Sequence, residues 1–106
     1  MAKYLLTANY SVEGTKGLLK EGGTGRRSAI ETLLSSVGAS LDAFYYAFGG
    51  DDAYLIVDAP TPEAAAAVSL VVAAGGGATC ETTVLLTPEQ IDAAKALAPQ
   101  YRAPGG

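Results

Sequence analysis

The residue types best suited to chemistry lie in a glycine-rich run that precedes a predicted helix. Gly22-Gly23-Thr24-Gly25-Arg26-Arg27 combines backbone amides, one hydroxyl and two guanidinium groups. At a helix N-terminus such donors stabilise a phosphate or carboxylate together with the helix dipole. We therefore expect Thr24, Arg26 and Arg27 to contact an anionic ligand, with Thr24 capping the helix. The run does not end in the Gly-Lys-Ser/Thr of a P-loop, so it does not predict nucleotide hydrolysis.

A structural interpretation of the same run is also open. The glycines would then allow a kink between two helical segments, and Arg27 would pair with Glu31 one helical turn later.

Tyrosines and aspartates form a second set of candidates. Tyr10 and Tyr46, with Tyr45 and Tyr54, would line a pocket for a flat or acyl ligand, or would pack in a subunit interface. Asp52 follows Asp51 in the predicted turn Gly49–Asp52 and is a candidate ligand contact or general base. Turn chemistry is the alternative, because aspartates commonly bond to nearby backbone amides.

The residue types that are missing exclude several classes of site. The chain has no histidine and a single cysteine, Cys80, so it lacks the usual zinc ligand sets, an internal disulfide and a Ser-His-Asp or Cys-His arrangement. We expect no metal and no cofactor. The formal charge of −4 disfavours nucleic-acid binding, and no leader or membrane segment is evident, which predicts a cytoplasmic protein.

Strand and helix signals alternate along the chain. Alternating or β-branched runs predict strands, whereas cap residues and a 3.6-residue apolar period predict helices. The predicted strands are Lys3–Tyr10, Ser40–Phe48, Ala53–Ala59 and Ala78–Leu86. The predicted helices are Val12–Leu19, one carrying Ile30, Leu33, Leu34 and Val37 on one side, Glu63–Ala74, and a short one from Thr87 to about Leu97.

This order predicts an α+β, ferredoxin-like βαββαβ fold with a four-stranded antiparallel sheet and an extra C-terminal helix. Residues 1–98 form the single domain, and residues 99–106 form a flexible tail. A chain of 106 residues leaves no room for a second domain.

The composition is more apolar than a lone domain of this size needs. Hydrophobic residues make up 49% of the chain, and such a domain buries only about two-thirds of its unfolded surface. We expect the excess on the sheet face opposite the helices, in Phe44, Tyr46, Phe48 and the first-strand tyrosines, and on the nearly uniformly apolar helix 64–74. The chain should therefore form a homo-oligomer through that open face, with a partly open pocket as the alternative.

Nearly the whole chain resembles the GYD domain family of small bacterial and archaeal proteins. The resemblance is carried by KYLLTANYSVEG, by the KEGG-x-x-RR run, by AFYYAFG and by TTVLLTPEQID. Where the family has Gly, one residue and then Tyr-Asp, this chain has Gly49-Gly50-Asp51-Asp52, so Asp51 replaces the family's tyrosine. The resemblance implies a ferredoxin-like fold assembled into oligomers and brings no established biochemical activity.

Three functions are consistent with these observations. The first is a non-catalytic, homo-oligomeric protein that binds a small anionic or aromatic ligand or acts as an accessory protein, using Tyr10, Thr24, Arg26, Arg27, Tyr46 and Asp52. The second is a cofactor-independent isomerase or monooxygenase with an inter-subunit active site and Asp52 or a tyrosine as its base. The third is a purely structural assembly subunit.

Overall fold

The computed structural model describes all 106 residues and contains four strands and three helices. In chain order these are β1 (Ala2–Tyr10), α1 (Val12–Ser35), β2 (Ser40–Tyr46), β3 (Ala53–Ala59), α2 (Pro62–Ala74), β4 (Ala78–Leu85) and α3 (Pro88–Ala96). All strand pairs are antiparallel, and the order across the sheet is β2-β3-β1-β4. The predicted α+β fold, βαββαβ with an added C-terminal helix, is confirmed.

Helix starts follow the local sequence closely. The side chains of Ser11, Thr61 and Thr87 each accept a hydrogen bond from a backbone N–H of the first helical turn. Thr87 and Gln90 form the full reciprocal capping box, and proline follows both threonines in the first helical turn. These starts could be predicted because a cap depends only on residues within one turn.

The core lies between the sheet and the two long helices. In the sheet centre Tyr4 is opposite Val57 and Leu6 is opposite Leu55, and all four side chains are buried. Leu34 of α1 and Ala65 and Val68 of α2 cover this core on its helix side. α1 packs mainly on β2, whereas α2 packs mainly on β4, so a cleft separates the two helices.

The expected placement of the aromatic residues is wrong. A register shift between Leu41 and Ala43 puts one extra residue, Asp42, into β2. Because of this bulge, Phe44 and Tyr46 lie opposite Leu55 and Ala53 and share the helix-covered face of the sheet. Tyr4 and Tyr10 pack against the same core.

The open face of the sheet carries a different set of side chains. The register places Leu5 beside Ile56 and Thr7 beside Tyr54 on it, with Tyr45 on β2 opposite Tyr54. Lys3 forms ion pairs with Asp42 (2.5 Å) and Asp58 (3.3 Å). The pKa of Lys3 is raised, chiefly by its hydrogen bond to Asp42. This face therefore has an apolar middle with a charged border.

α1 is two helical segments joined at a kink. Gly22 has φ 78° and ψ 166°, a backbone conformation open almost only to glycine. The predicted interruption of the helix is therefore present. Thr24, however, lies inside the second segment and does not cap it, and Arg27 and Glu31 form no ion pair.

The β2–β3 connection is longer than predicted. Strand β2 ends at Tyr46, because Phe48 adopts a left-handed φ of 57° that an extended strand cannot continue through. The Ala47 N–H donates to the Asp52 carbonyl oxygen at 3.0 Å, which closes the connection.

The molecule is extended for its length. Its radius of gyration is 16.9 Å, compared with about 13 Å for a compact chain of this size. α3 has no buried residue and is not among the elements that pack extensively on one another. No helix has both the length and the apolar character that crossing a bilayer requires.

Two glycines of α1 give a matched test of this packing. A Cβ on Gly14 would lie 1.8 Å from the Gly77 carbonyl oxygen, whereas a Cβ on Gly17 would meet nothing within 4 Å. We expect Gly14→Ala to lower the free energy of unfolding by about 1–3 kcal/mol through overpacking. Gly17→Ala should raise it by about 0.5–1 kcal/mol through helix propensity. Urea denaturation of both variants measures this, and equal effects would contradict the close contact.

Candidate ligand-binding site

The cleft between α1 and α2 opens at the end of β1. It has a volume of about 340 Å³. An inner recess of about 40 Å³ adjoins it, and Tyr10, Arg26, Val72 and Ala78 line both spaces. The recess is otherwise almost wholly apolar and reaches the sheet at Leu6, Phe44 and Leu55. An apolar floor with a few polar groups at its mouth is typical of a small-molecule site.

Tyr46 does not itself line the cleft or the recess, but its ring belongs to a row of aromatic rings with Tyr10 and Phe44, which line the recess. Its ring stacks on Tyr10 and Phe48 at centroid distances of 6.4 and 5.9 Å, and it contacts Phe44 at 4.9 Å. Its hydroxyl is buried and has no hydrogen-bond partner. Burial, with a smaller contribution from the nearby Tyr10 hydroxyl, raises the pKa of Tyr46 above its ordinary value. The phenol is therefore a protonated donor at neutral pH.

Arg26 supplies the positive charge at the mouth of the recess. Its side chain is about one-third exposed, and its one ion pair, from Nη1 to Glu21 Oε2, is long at 3.8 Å. The guanidinium makes no hydrogen bond to the protein, so its donors are available to a ligand. The kink at Gly22 allows Glu21 and Arg26 to come from different helical segments and still meet.

Gly23 leaves room for the Tyr46 ring to lie close to the backbone of α1. A Cβ at this residue would lie 3.3 Å from the Tyr46 ring carbon Cε2. The glycine-rich run therefore contributes to the site in two ways: Gly23 permits the close approach of Tyr46, and Arg26 supplies the positive charge.

The other predicted site residues lie elsewhere. Thr24 and Arg27 are exposed and do not line the cleft or the recess. The Asp52 carboxylate accepts the Tyr10 backbone N–H at 2.8 Å, and Asp51 accepts from the Asn9 amide at 2.8 Å. These aspartates tie the β2–β3 connection to the end of β1, which holds Tyr10 in place.

Tyr45 and Tyr54 are also separate from the site, because the sheet register puts them on the open face. Cys80 lines the recess, and burial raises the pKa of its thiol, so it is a neutral wall residue. No group of three or more acidic, cysteine or histidine side chains comes together as a metal site would require.

Sequence reasoning missed the part of the cleft that glycine builds. Gly14, Gly17, Gly75 and Gly77 line its outer part, and Glu21 provides its carboxylate. The Ser11 N–H donates to the Gly77 carbonyl oxygen at 2.9 Å, which brings the start of α1 against the α2–β4 connection. The signal in the sequence is the Gly75-Gly76-Gly77 run that directly follows α2.

Comparison with known proteins identifies one family. The family model described as GYD domain matches residues 4–94. No curated protein and no solved structure matches the chain.

The unpaired Tyr46 hydroxyl should cost the unliganded protein stability. An unsatisfied buried hydroxyl costs about 1–3 kcal/mol, and phenylalanine keeps the ring stack while removing it. We expect Tyr46→Phe to raise the free energy of unfolding by about 1 kcal/mol. Urea denaturation checks this, with Tyr45→Phe on the open face as a neutral control. A destabilised Tyr46→Phe would show that the hydroxyl has a partner.

Tyr46 should also make stability depend on pH in the alkaline range. Its pKa is raised in the folded state from the ordinary 10.0, so the folded state keeps a proton that the unfolded chain releases. The contribution is complete below about pH 10 and is lost as the pH rises further. Denaturation between pH 8 and 11 should show a steeper loss for the wild-type protein than for Tyr46→Phe. Parallel curves would contradict the raised pKa.

Proposed function

The chain belongs to the GYD domain family, and we propose that it is a homo-oligomeric binding protein for a small carboxylate with an apolar body. The apolar part of the ligand occupies the recess between α1, α2 and the sheet. Its carboxylate receives hydrogen bonds from Arg26 and from the Tyr46 hydroxyl.

The observation that carries this proposal is the unpaired Tyr46 hydroxyl beside an arginine without hydrogen bonds. Both groups are donors, and the protein offers them only one distant carboxylate, Glu21. A ligand carboxylate would satisfy both, and charge-assisted hydrogen bonds to arginine are among the strongest available. The apolar wall selects against fully hydrated anions such as inorganic phosphate.

The same groups favour binding over base catalysis. A tyrosine whose pKa is raised by burial donates a proton at neutral pH and does not accept one. Asp52, the candidate base, accepts a backbone hydrogen bond outside the cleft.

Surface area supports self-association. The chain exposes 6915 Å², whereas a compact monomer of 10.7 kDa exposes about 5,500 Å². The excess of about 1,400 Å² exceeds the roughly 800 Å² that each partner buries in a standard interface. The apolar middle of the open sheet face, Leu5, Tyr45, Tyr54 and Ile56, is our proposed contact between copies.

Binding is tested with a panel of carboxylates. We expect benzoate, phenylacetate or 4-methylpentanoate to raise Tm in a thermal-shift assay, whereas benzamide, the neutral counterpart of benzoate, does not. Arg26→Ala should weaken binding at least tenfold, because it removes the anion contact. Arg27→Ala makes the same charge change outside the cleft and should leave affinity unchanged. Equal losses in the two variants, or no response to any carboxylate, would refute the site.

Assembly is tested on the open sheet face. Tyr45 is 71% exposed there, and Tyr45→Asp should dissociate the oligomer by placing a charge in the apolar contact. Leu19→Asp is the control, since Leu19 is 82% exposed on α1, away from the sheet face. Sedimentation velocity measures both variants. A monomeric wild-type protein at micromolar concentration would overturn the proposed assembly.

A further inference from the structure

The C-terminal arm, residues 86–101, extends from the body without covering its apolar side chains. It consists of α3 and its flanking residues. Ile91 is 52% exposed and Leu97 is 82% exposed, and Leu86 and Tyr101 are exposed as well. A nine-residue helix is marginal alone in water, so its stability depends on packing that its own body does not supply.

The arm has one apolar side. Helical spacing puts Ile91 and Ala94 on one side of α3, with the C-cap residue Leu97 one turn after Ala94. Glu89 and Asp92 lie away from that side. Such a helix is suited to a groove that is itself apolar.

A matching groove runs between α2 and β4. Its volume is about 400 Å³, and Pro62, Ala66, Leu70, Ala73 and Val84 provide most of its apolar lining. Leu70 is 70% exposed and Val84 is 59% exposed. The small side chains of Ala66 and Ala73 allow another helix to approach closely. This groove is separate from the open sheet face, on the other side of the sheet.

The connection between β4 and α3 directs the arm away from its own groove. Only Leu86 and Thr87 separate the strand from the helix. The Thr87 N–H donates to Gln90 Oε1 at 2.8 Å and the Gln90 N–H donates to Thr87 Oγ1 at 3.1 Å, which fixes the first turn. The groove along the same strand is left open.

From these observations we propose that the arm of one copy packs its Ile91 side into the α2–β4 groove of a second copy. The arm of the second copy packs in the same way into the groove of the first. Such a reciprocal exchange is the simplest closed arrangement, because each arm and each groove is used once. A sheet contact of about 800 Å² per partner would leave about 600 Å² of the excess surface uncovered, and the exposed side chains of the arm and the groove are part of that surface. The inference rests on the proposed self-association but assigns a second, distinct surface to it.

A complementation experiment tests the exchange in the full-length protein. Leu70→Lys alters only the groove and Ile91→Asp only the arm. Each should weaken the self-association constant at least tenfold in sedimentation equilibrium. In an equimolar mixture of the two variants, the self-association constant should return to within about threefold of wild type. In the mixed dimer, one arm–groove contact is native, and the other places the introduced aspartate of one copy beside the introduced lysine of the other. Both side chains are more than half exposed, and circular dichroism checks that each variant is folded.

Matched controls separate this surface from others. Leu19→Lys places the same charge on an exposed leucine of α1, and Ala96→Asp places an aspartate on the side of α3 opposite to Ile91 and Ala94. Both should associate as wild type does. If Ile91→Asp is rescued by Tyr45→Lys and not by Leu70→Lys, the arm lies on the open sheet face and the groove assignment is wrong.

Two further outcomes distinguish the proposals. If Tyr45→Asp dissociates the oligomer while Leu70→Lys and Ile91→Asp do not, arm exchange is refuted and the sheet contact stands. If the variants dissociate but the mixture stays dissociated, contact between arm and groove is refuted.

Discussion

The helices and the outer strands pack around the pairing of β1 with β3 in the centre of the sheet. Leu6 opposite Leu55 and Tyr4 opposite Val57 give the helices a continuous buried surface. Because side chains alternate along a strand, this register also decides which residues remain on the open face. The end of β1 then places Tyr10 at the cleft, where the Asp52 carboxylate holds its backbone.

The candidate site arises from two local irregularities added to that register. The bulge at Asp42 turns Phe44 and Tyr46 toward the helices, and the kink at Gly22 lets Glu21 and Arg26 meet at 3.8 Å. Neither feature strengthens the fold, since a bulge interrupts the ladder and a kink interrupts the helix. The bulge, the kink and the unpaired Tyr46 hydroxyl each lower the stability of the fold near the place where polar donors converge. Such local losses of stability are common at functional sites.

The small core leaves much of the chain's apolar surface without cover. Only 11 of 106 residues are buried, so two helices on one side of a four-stranded sheet cannot enclose the chain's apolar surface. Part of the uncovered surface lies in the middle of the open sheet face, and part lies in the groove and on the arm. In the proposed assembly a second copy covers these parts, and in the proposed function the cleft between α1 and α2 takes a small molecule.

The elements, their order and the fold can be predicted from the sequence, because caps, apolar periods and glycine stops act within a few residues. Ser11, Thr61 and Thr87 begin helices where their local sequence predicts. The sequence also indicates Arg26 and the tyrosines as groups that could bind a ligand. Which of these groups come together depends on the tertiary structure. One extra residue in β2 moves every later side chain of the strand to the other face of the sheet. The position of such a bulge depends on the pairing with β3, which joins residues far apart in the chain, and local sequence patterns therefore do not predict it.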